Sequence, residues 1–174
     1  MSKYEWIPSL WLETFGEMLN EDNELDYGDD WNLTFNYSQT DQITKEERKR
    51  GWKVYSHCAH ANFQCGSCGK TWSSARVVLL FRYRLRGGRG TVIMRPFGQA
   101  CRRCQDDQFD LPGFVEKEVE NALQRLFSKI RKNCYAEEDD SDGGSSASSI
   151  KVKTKPHEAS LCEGCRMGIC CQED

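Results

Sequence analysis

Six of the ten cysteines stand in Cys-x-x-Cys pairs: Cys65 with Cys68, Cys101 with Cys104, and Cys162 with Cys165. Zinc takes four soft or borderline ligands in a tetrahedron, and two thiolates separated by two residues wrap one edge of it. Gly66 and Gly69 relieve the tight turn that such wrapping imposes on the first pair. A redox use of the same motif belongs in a βαβ setting, whereas these pairs flank a predicted β hairpin. A disulfide use belongs to secreted chains, and Met1-Ser2-Lys3-Tyr4-Glu5 does not read as a secretory signal. The expectation is therefore metal-bound thiolates in a reducing compartment.

An antiparallel hairpin running from Cys68 to Cys101 would return two knuckles to one end of a ribbon. Cys65, Cys68, Cys101 and Cys104 then form a complete four-cysteine site. The third pair needs two more ligands, and the pattern His157-x4-Cys162-x2-Cys165-x4-Cys170 supplies them as a second, Cys3His site. Two structural zinc ions are expected. Cys171 competes with Cys170 for the last position, and His157 could equally be a loop histidine. His57, Cys58 and His60 near the first knuckle read as packing or surface residues, and Cys134 as a lone thiol. A catalytic zinc keeps one position open. Two sites filled by protein ligands, without the zinc-deaminase pattern, point away from an enzyme and from a small-molecule substrate.

The elements that must position these ligands follow from periodicity. Ile7, Leu10, Trp11, Phe15, Met18 and Leu19 recur at helical spacing, which predicts a helix over Trp6 to Asn20. Its stripe, including Trp6, Trp11 and Phe15, could either pack on the core or capture a partner. Glu21 to Asp30 is an acidic loop, and Trp31 to Tyr37 alternates as a half-buried strand. A solvated segment from Thr44 to Arg50 leads to a short strand at Trp52 to Tyr55. Thr71 to Leu85 and Thr91 to Phe97 are the hairpin, joined through Gly87-Gly88-Arg89-Gly90. Pro112 opens a second amphipathic helix with Asp110 as its cap, and Val115, Val119, Ala122, Leu123, Leu126, Phe127 and Ile130 fall on one face of it. The fold class is α+β: a zinc-ribbon-like β hairpin with zinc knuckles, plus N-terminal and central amphipathic helices. Residues 1–48 form the N-terminal helix and strand, and 50–174 the zinc-bearing domain. Within the latter, 136–149 is an acidic insert with almost nothing to bury.

The 174 residues carry a net charge of −3, and 38% are apolar against 29% charged. A core this modest makes metal cross-links matter to stability. No apolar run approaches the roughly 20 residues of a membrane span, so a cytoplasmic location follows, peripheral to membranes at most. The net charge conceals segregation: from Lys70 to Gln105 there are nine basic residues and no acidic one. Arg82, Arg84 and Arg86 share a strand face, and Arg76, Arg89, Arg95, Arg102 and Arg103 extend it. Guanidinium at this density suits phosphate, so RNA, an anionic membrane surface and an acidic polypeptide partner are candidates. A solvated strand face is the plainer use of the same residues.

Phe63-Gln64-Cys65-x2-Cys68, followed by Trp72-Ser73-Ser74-Ala75-Arg76-Val77, resembles the three-CxxC zinc-finger family of receptor-transporting proteins. Phe97-Gly98-Gln99-x-Cys101-x2-Cys104 and Cys162-Glu163-x-Cys165-x-Met167-Gly168-Ile169-Cys170 carry the same resemblance. The zinc-binding end of zygote arrest proteins is similar in its His157-x4-Cys162-x2-Cys165 pattern. The resemblance runs from about Trp52 to Cys170, with a looser match in the N-terminal helix. It implies a zinc-dependent accessory protein that helps chemosensory and other G-protein-coupled receptors reach the cell surface. It also implies RNA binding, in antiviral defence or translational control, as the alternative. Receptor-transporting members typically carry a C-terminal membrane helix that this sequence does not show before Asp174: either the chain is a membrane-free relative or the sequence is incomplete, and a soluble chaperone-like role survives the departure.

Overall fold

The computed structural model describes residues 4–21, 25, 27–104, 108–135 and 161–166. Its centre is the predicted hairpin: β3 (Thr71–Arg86) turns at Gly87-Gly88 into β4 (Arg89–Pro96). Both turn glycines have positive φ, 60° and 79°, a conformation that L side chains resist. The register runs from Arg86 opposite Arg89 to Leu79 opposite Pro96. On the far side of β3 lies β2 (Lys53–Gln64), antiparallel, with an irregularity between Ala59 and Ala61. β1 (Asp30–Phe35) completes the sheet as a parallel neighbour of β4, giving the order β1-β4-β3-β2. β1 and β4 approach so closely that a Cβ on Gly90 would fall inside the Trp31 indole.

Alternation along β3 sends Val77, Leu79, Phe81 and Tyr83 to one face, and two helices cover it. α3 (Glu116–Cys134) buries Val119, Ala122, Leu123, Leu126, Phe127 and Ile130 against the sheet. Each of these side chains except the small Ala122 contributes about 1.5–3 kcal/mol when fully buried. α1 (Pro8–Asn20) lies beside α3, with the rings of Phe15 and Phe127 5.4 Å apart and Trp11 edge-on to Phe114 at 5.2 Å. Trp11 and Phe15 are thus core residues, 1% and 3% exposed, and the stripe on α1 is used for packing. The acidic insert at 136–149 lies outside the described residues.

Three elements depart from the sequence expectation. The Thr44–Arg50 segment contains a short helix, α2 (Lys45–Lys49), closed by a capping box: Thr44 Oγ1 accepts from the Glu47 N–H, and Glu47 Oε1 from the Thr44 N–H. β2 is 12 residues long rather than four, because Ala59 and Ala61, weak strand formers by type, sit on its core face with Phe63. α3 begins at Glu116, not at Pro112. The backbone of Gly113 is already committed to Asn62, through hydrogen bonds of 2.7 and 2.9 Å. Asp110 belongs to a two-residue strand, β6 (Phe109–Asp110), paired with β5 (Gln99–Ala100).

Burial, and then the charge of Arg125, depress the His57 imidazole pKa to about 4. The Tyr55 hydroxyl lies 2.9 Å from its Nδ1. A folded pKa below the free value makes this histidine a stabilising neutral group above about pH 6.5. That contribution declines as pH falls toward 4, because only the unfolded chain takes up the proton readily. Melting temperature measured from pH 7 to pH 4.5 should therefore fall more steeply for the wild-type protein than for His57→Gln.

Candidate metal centre

The sequence predicts that hairpin closure brings two knuckles together, and the structure shows it. Cys65 and Cys68 sit in the turn between β2 and β3, where Gly69 adopts φ 77° and its N–H bonds the Cys65 carbonyl. Cys101 and Cys104 follow β5 at the same end of the sheet. The four Sγ atoms all lie within 4.8 Å of one another, with Cys65 to Cys104 at 3.6 Å and Cys68 to Cys101 at 3.7 Å. A tetrahedral zinc with bonds of about 2.3 Å sets its sulfurs about 3.8 Å apart. The cluster fits that ion with little adjustment. Cys65 and Cys101 are buried, Cys104 is half-buried and Cys68 is exposed, so the ion would be reached from one side.

Local electrostatics favour the same reading. Backbone N–H groups of Cys68 and Ser67 hold the Cys65 thiol down to about 7. Cys104, sharing hydrogen bonds with Cys65 and then Cys68, is pushed up to about 12. Four sulfurs this close cannot all ionise without a cation between them, since neighbouring like charges oppose each other. A divalent ion held by Cys65, Cys68, Cys101 and Cys104 would take the place of the shared protons. Asp110, expected to cap α3, instead accepts the Gly66 N–H at 3.2 Å and ties β6 to the first knuckle.

The third knuckle docks nearby. Cys162 forms an isolated bridge with Gln99, and α4 (Glu163–Arg166) carries Cys165. Glu163 fastens it: its backbone N–H bonds the Gly98 carbonyl, and its Oε1 accepts the Gly98 N–H at 2.9 Å. Its Oε2 meets the Arg95 guanidinium at 3.0 Å. Sequence reasoning missed Glu163 and Gln99, whose amide accepts from Trp72 and donates to Ser74. The available signal was a carboxylate between two knuckle cysteines. His157 and Cys170 lie outside the described residues, as does Cys171. Among the described residues, the four-cysteine group is the one cluster fit for a metal. Cys58, expected as a packing or surface residue, is disulfide-bonded, and the other described cysteines are free thiols.

The arginines do not make one continuous patch. Arg95 is 7% exposed, donates to the Gln39 carbonyl at 2.8 Å and lies 4.2 Å over the Phe97 ring. Arg82 donates to the Thr40 and Gln42 carbonyls and to Glu47. Arg84 stacks on Trp52 at 4.5 Å. Arg76 and Arg102 are half-buried, and Arg86, Arg89 and Arg103 are exposed.

A sheet closed at one end by a four-cysteine cluster defines a zinc-ribbon type of binding domain. A family profile described as a zinc-binding domain, of the three-CxxC zinc-ribbon type, matches residues 58–168. Among curated proteins, receptor-transporting protein 3 of Mus musculus is 34% identical over 128 residues, 72% of this chain and 27% of the relative. Receptor-transporting protein 2 of Mus musculus is 34% identical over 148 residues, covering 81% of this chain and 62% of the relative. Receptor-transporting protein 4 of Homo sapiens is 28% identical over 169 residues, 93% of this chain and 64% of the relative. The chain belongs to the receptor-transporting protein family, with its three-CxxC zinc-binding domain. It spans less than two thirds of the length of each of these relatives. No solved structure matches it.

Structural zinc contributes on the order of 10–16 kcal/mol in small fingers, against about 5–15 kcal/mol of net stability for a whole domain. Cys101→Ser should therefore release zinc and unfold the sheet end rather than soften it. Metal analysis beside circular dichroism checks this, and a folded variant that keeps its zinc would remove these four cysteines as the site.

Proposed function

We propose that this protein is a zinc-stabilised accessory protein that binds G-protein-coupled receptors, chemosensory ones among them, and promotes their delivery to the plasma membrane. The observation that carries the reading is its likeness, over most of its length, to proteins named for receptor transport. The zinc is structural: Cys65, Cys68, Cys101 and Cys104 fill a tetrahedron and leave no position for substrate. The protein acts as a binding module on the cytoplasmic side, not as an enzyme. Among the described residues, no helix is long and apolar enough to cross a membrane.

A second zinc is held by Cys162 and Cys165 with His157 and Cys170. Metal analysis of the reduced protein should return two ions per chain, and Cys162→Ser should lose one of them while Cys65 to Cys104 keep theirs. One ion in the wild-type protein would remove the second site.

The receptor-facing surface is an aromatic shelf beside the N-terminus of α1. Trp6 lies edge-on to Phe35, Tyr37 and Phe114, with centroids 5.7–6.5 Å away, and its Nε1 donates to the Tyr37 hydroxyl. Tyr37 is 47% exposed and Val115 42%, unlike the buried Trp11 and Phe15. An apolar surface of this kind suits a transmembrane or juxtamembrane segment of a nascent receptor. Tyr37→Ser with Val115→Ser should halve receptor surface delivery or worse while zinc content and melting temperature hold. Unchanged delivery would displace the shelf from this role. RNA binding through the arginine face has less support, since Arg82 and Arg95 are committed within the fold.

A further inference from the structure

The Arg82 side chain organises a surface of its own. It reaches across the outer face of the sheet to Glu47 of α2, at 3.0 Å, and to the Thr40 and Gln42 carbonyls. Glu47 is at once the second half of the capping box that starts α2. One carboxylate therefore pins a five-residue helix, Lys45–Lys49, onto β3 with no side chain of that helix buried. The chain then passes through Gly51, whose added Cβ would stand 4.0 Å from the Arg84 Cβ, to Trp52 beneath the Arg84 guanidinium.

The result is a local concentration of positive charge on a chain whose net charge is −3. Lys45, Arg48, Lys49 and Arg50 are exposed along and just after α2. Arg84 abuts them, and Arg86 continues the same strand face toward the hairpin tip, exposed. Glu46 is exposed in the first turn, and the charge of Glu47 is met by Arg82. Arg89 adds little, since it pairs in register with the exposed Asp30.

We propose that this α2 face binds the anionic headgroups of a lipid bilayer. Its charges lie on a short surface helix and on a strand end, not in a cleft, and so suit a plane of diffuse negative charge. A site for single-stranded RNA also needs aromatic rings on which bases can stack. The ring this face offers, Trp52, is covered by Arg84. The exposed aromatics Tyr27 and Tyr37 lie elsewhere, stacked on Tyr135 and Phe35. The inference stands apart from receptor delivery, because it concerns purified protein and lipid alone.

Each cation near such a surface changes partitioning by about fivefold. The full zinc-loaded chain should co-sediment with vesicles holding about 30 mol% phosphatidylserine and not with pure phosphatidylcholine vesicles. Raising ionic strength from about 0.1 to 1 M shortens the screening length from about 10 to 3 Å and should release it. Neutralising Arg48, Lys49 and Arg50 together to Gln should weaken binding on the order of a hundredfold. An independent pair away from the end of the helix, Lys45→Gln with Arg86→Gln, should weaken it about 25-fold. Zinc content and melting temperature verify folding in both. Equal binding to phosphatidylcholine, or wild-type affinity in both variants, overturns the proposal. So does a single-stranded oligouridylate that is bound more tightly than the lipid and loses affinity in the same variants.

Discussion

Four sulfur atoms packed within 4.8 Å constrain this molecule more than any other set of contacts. Two come from the turn after β2 and two from the segment after β5, separated by more than thirty residues of hairpin. Their approach requires β3 and β4 to be paired in one register. A slip by one residue would send every side chain to the opposite face of the sheet. It would also carry Cys101 out of reach of Cys68. Binding of the ion and burial of Leu79, Phe81 and Tyr83 beneath α3 therefore select the same register. The core fixes the hairpin, and the metal fixes the ends that the core does not cover.

Polar contacts extend that constraint outward. Asp110 accepts from Gly66, so the short β5–β6 pair is tied to the first knuckle. Gly98 lies so close to this pair that a Cβ would strike the Asp110 carbonyl. The same Gly98 exchanges two hydrogen bonds with Glu163, which brings the third knuckle against the segment leading to Cys101. Three distant parts of the chain thus meet on a few residues without side chains large enough to keep them apart. Charge-assisted bonds such as that between Arg95 and Glu163 are stronger than neutral ones and resist being left half-made.

What the sequence made legible were features encoded by spacing. Cysteine pairs, the Gly87-Gly88 turn, strand alternation in β3 and the helical stripe of α3 each repeat at a period set by local geometry. Features settled by long-range partners were not legible. Asp110 reads as a helix cap until Gly66 is seen to claim it. Thr44-x2-Glu47 is a capping signal, but α2 has no buried residue and so no periodicity to reinforce it. β2 looked short because His57, Cys58 and His60 interrupt its apolar pattern, while its pairing with β3 supplies the missing order. The parallel pairing of β1 with β4 has no local signature at all.

The arginines show how one run of like charges divides once it is folded. Residues 39–42 cross the outer face of the sheet without forming a strand, and the carbonyls they turn inward need donors. Arg82 and Arg95 supply them: Arg95 bonds the Gln39 carbonyl, and Arg82 bonds those of Thr40 and Gln42. Lysine would fit poorly, because the planar fork of Arg82 spreads four hydrogen bonds over two carbonyls and a carboxylate, where an ammonium has three donors on one nitrogen. Those two arginines hold a loop down on the sheet, and their charge is largely used within the protein. Beyond the loop, Arg84 stacks on the Trp52 ring and Arg86 is exposed, and their charge adds to that of α2. The same strand therefore has arginine for two reasons, interior satisfaction of backbone carbonyls and exterior field, and the crossing segment is the boundary between them.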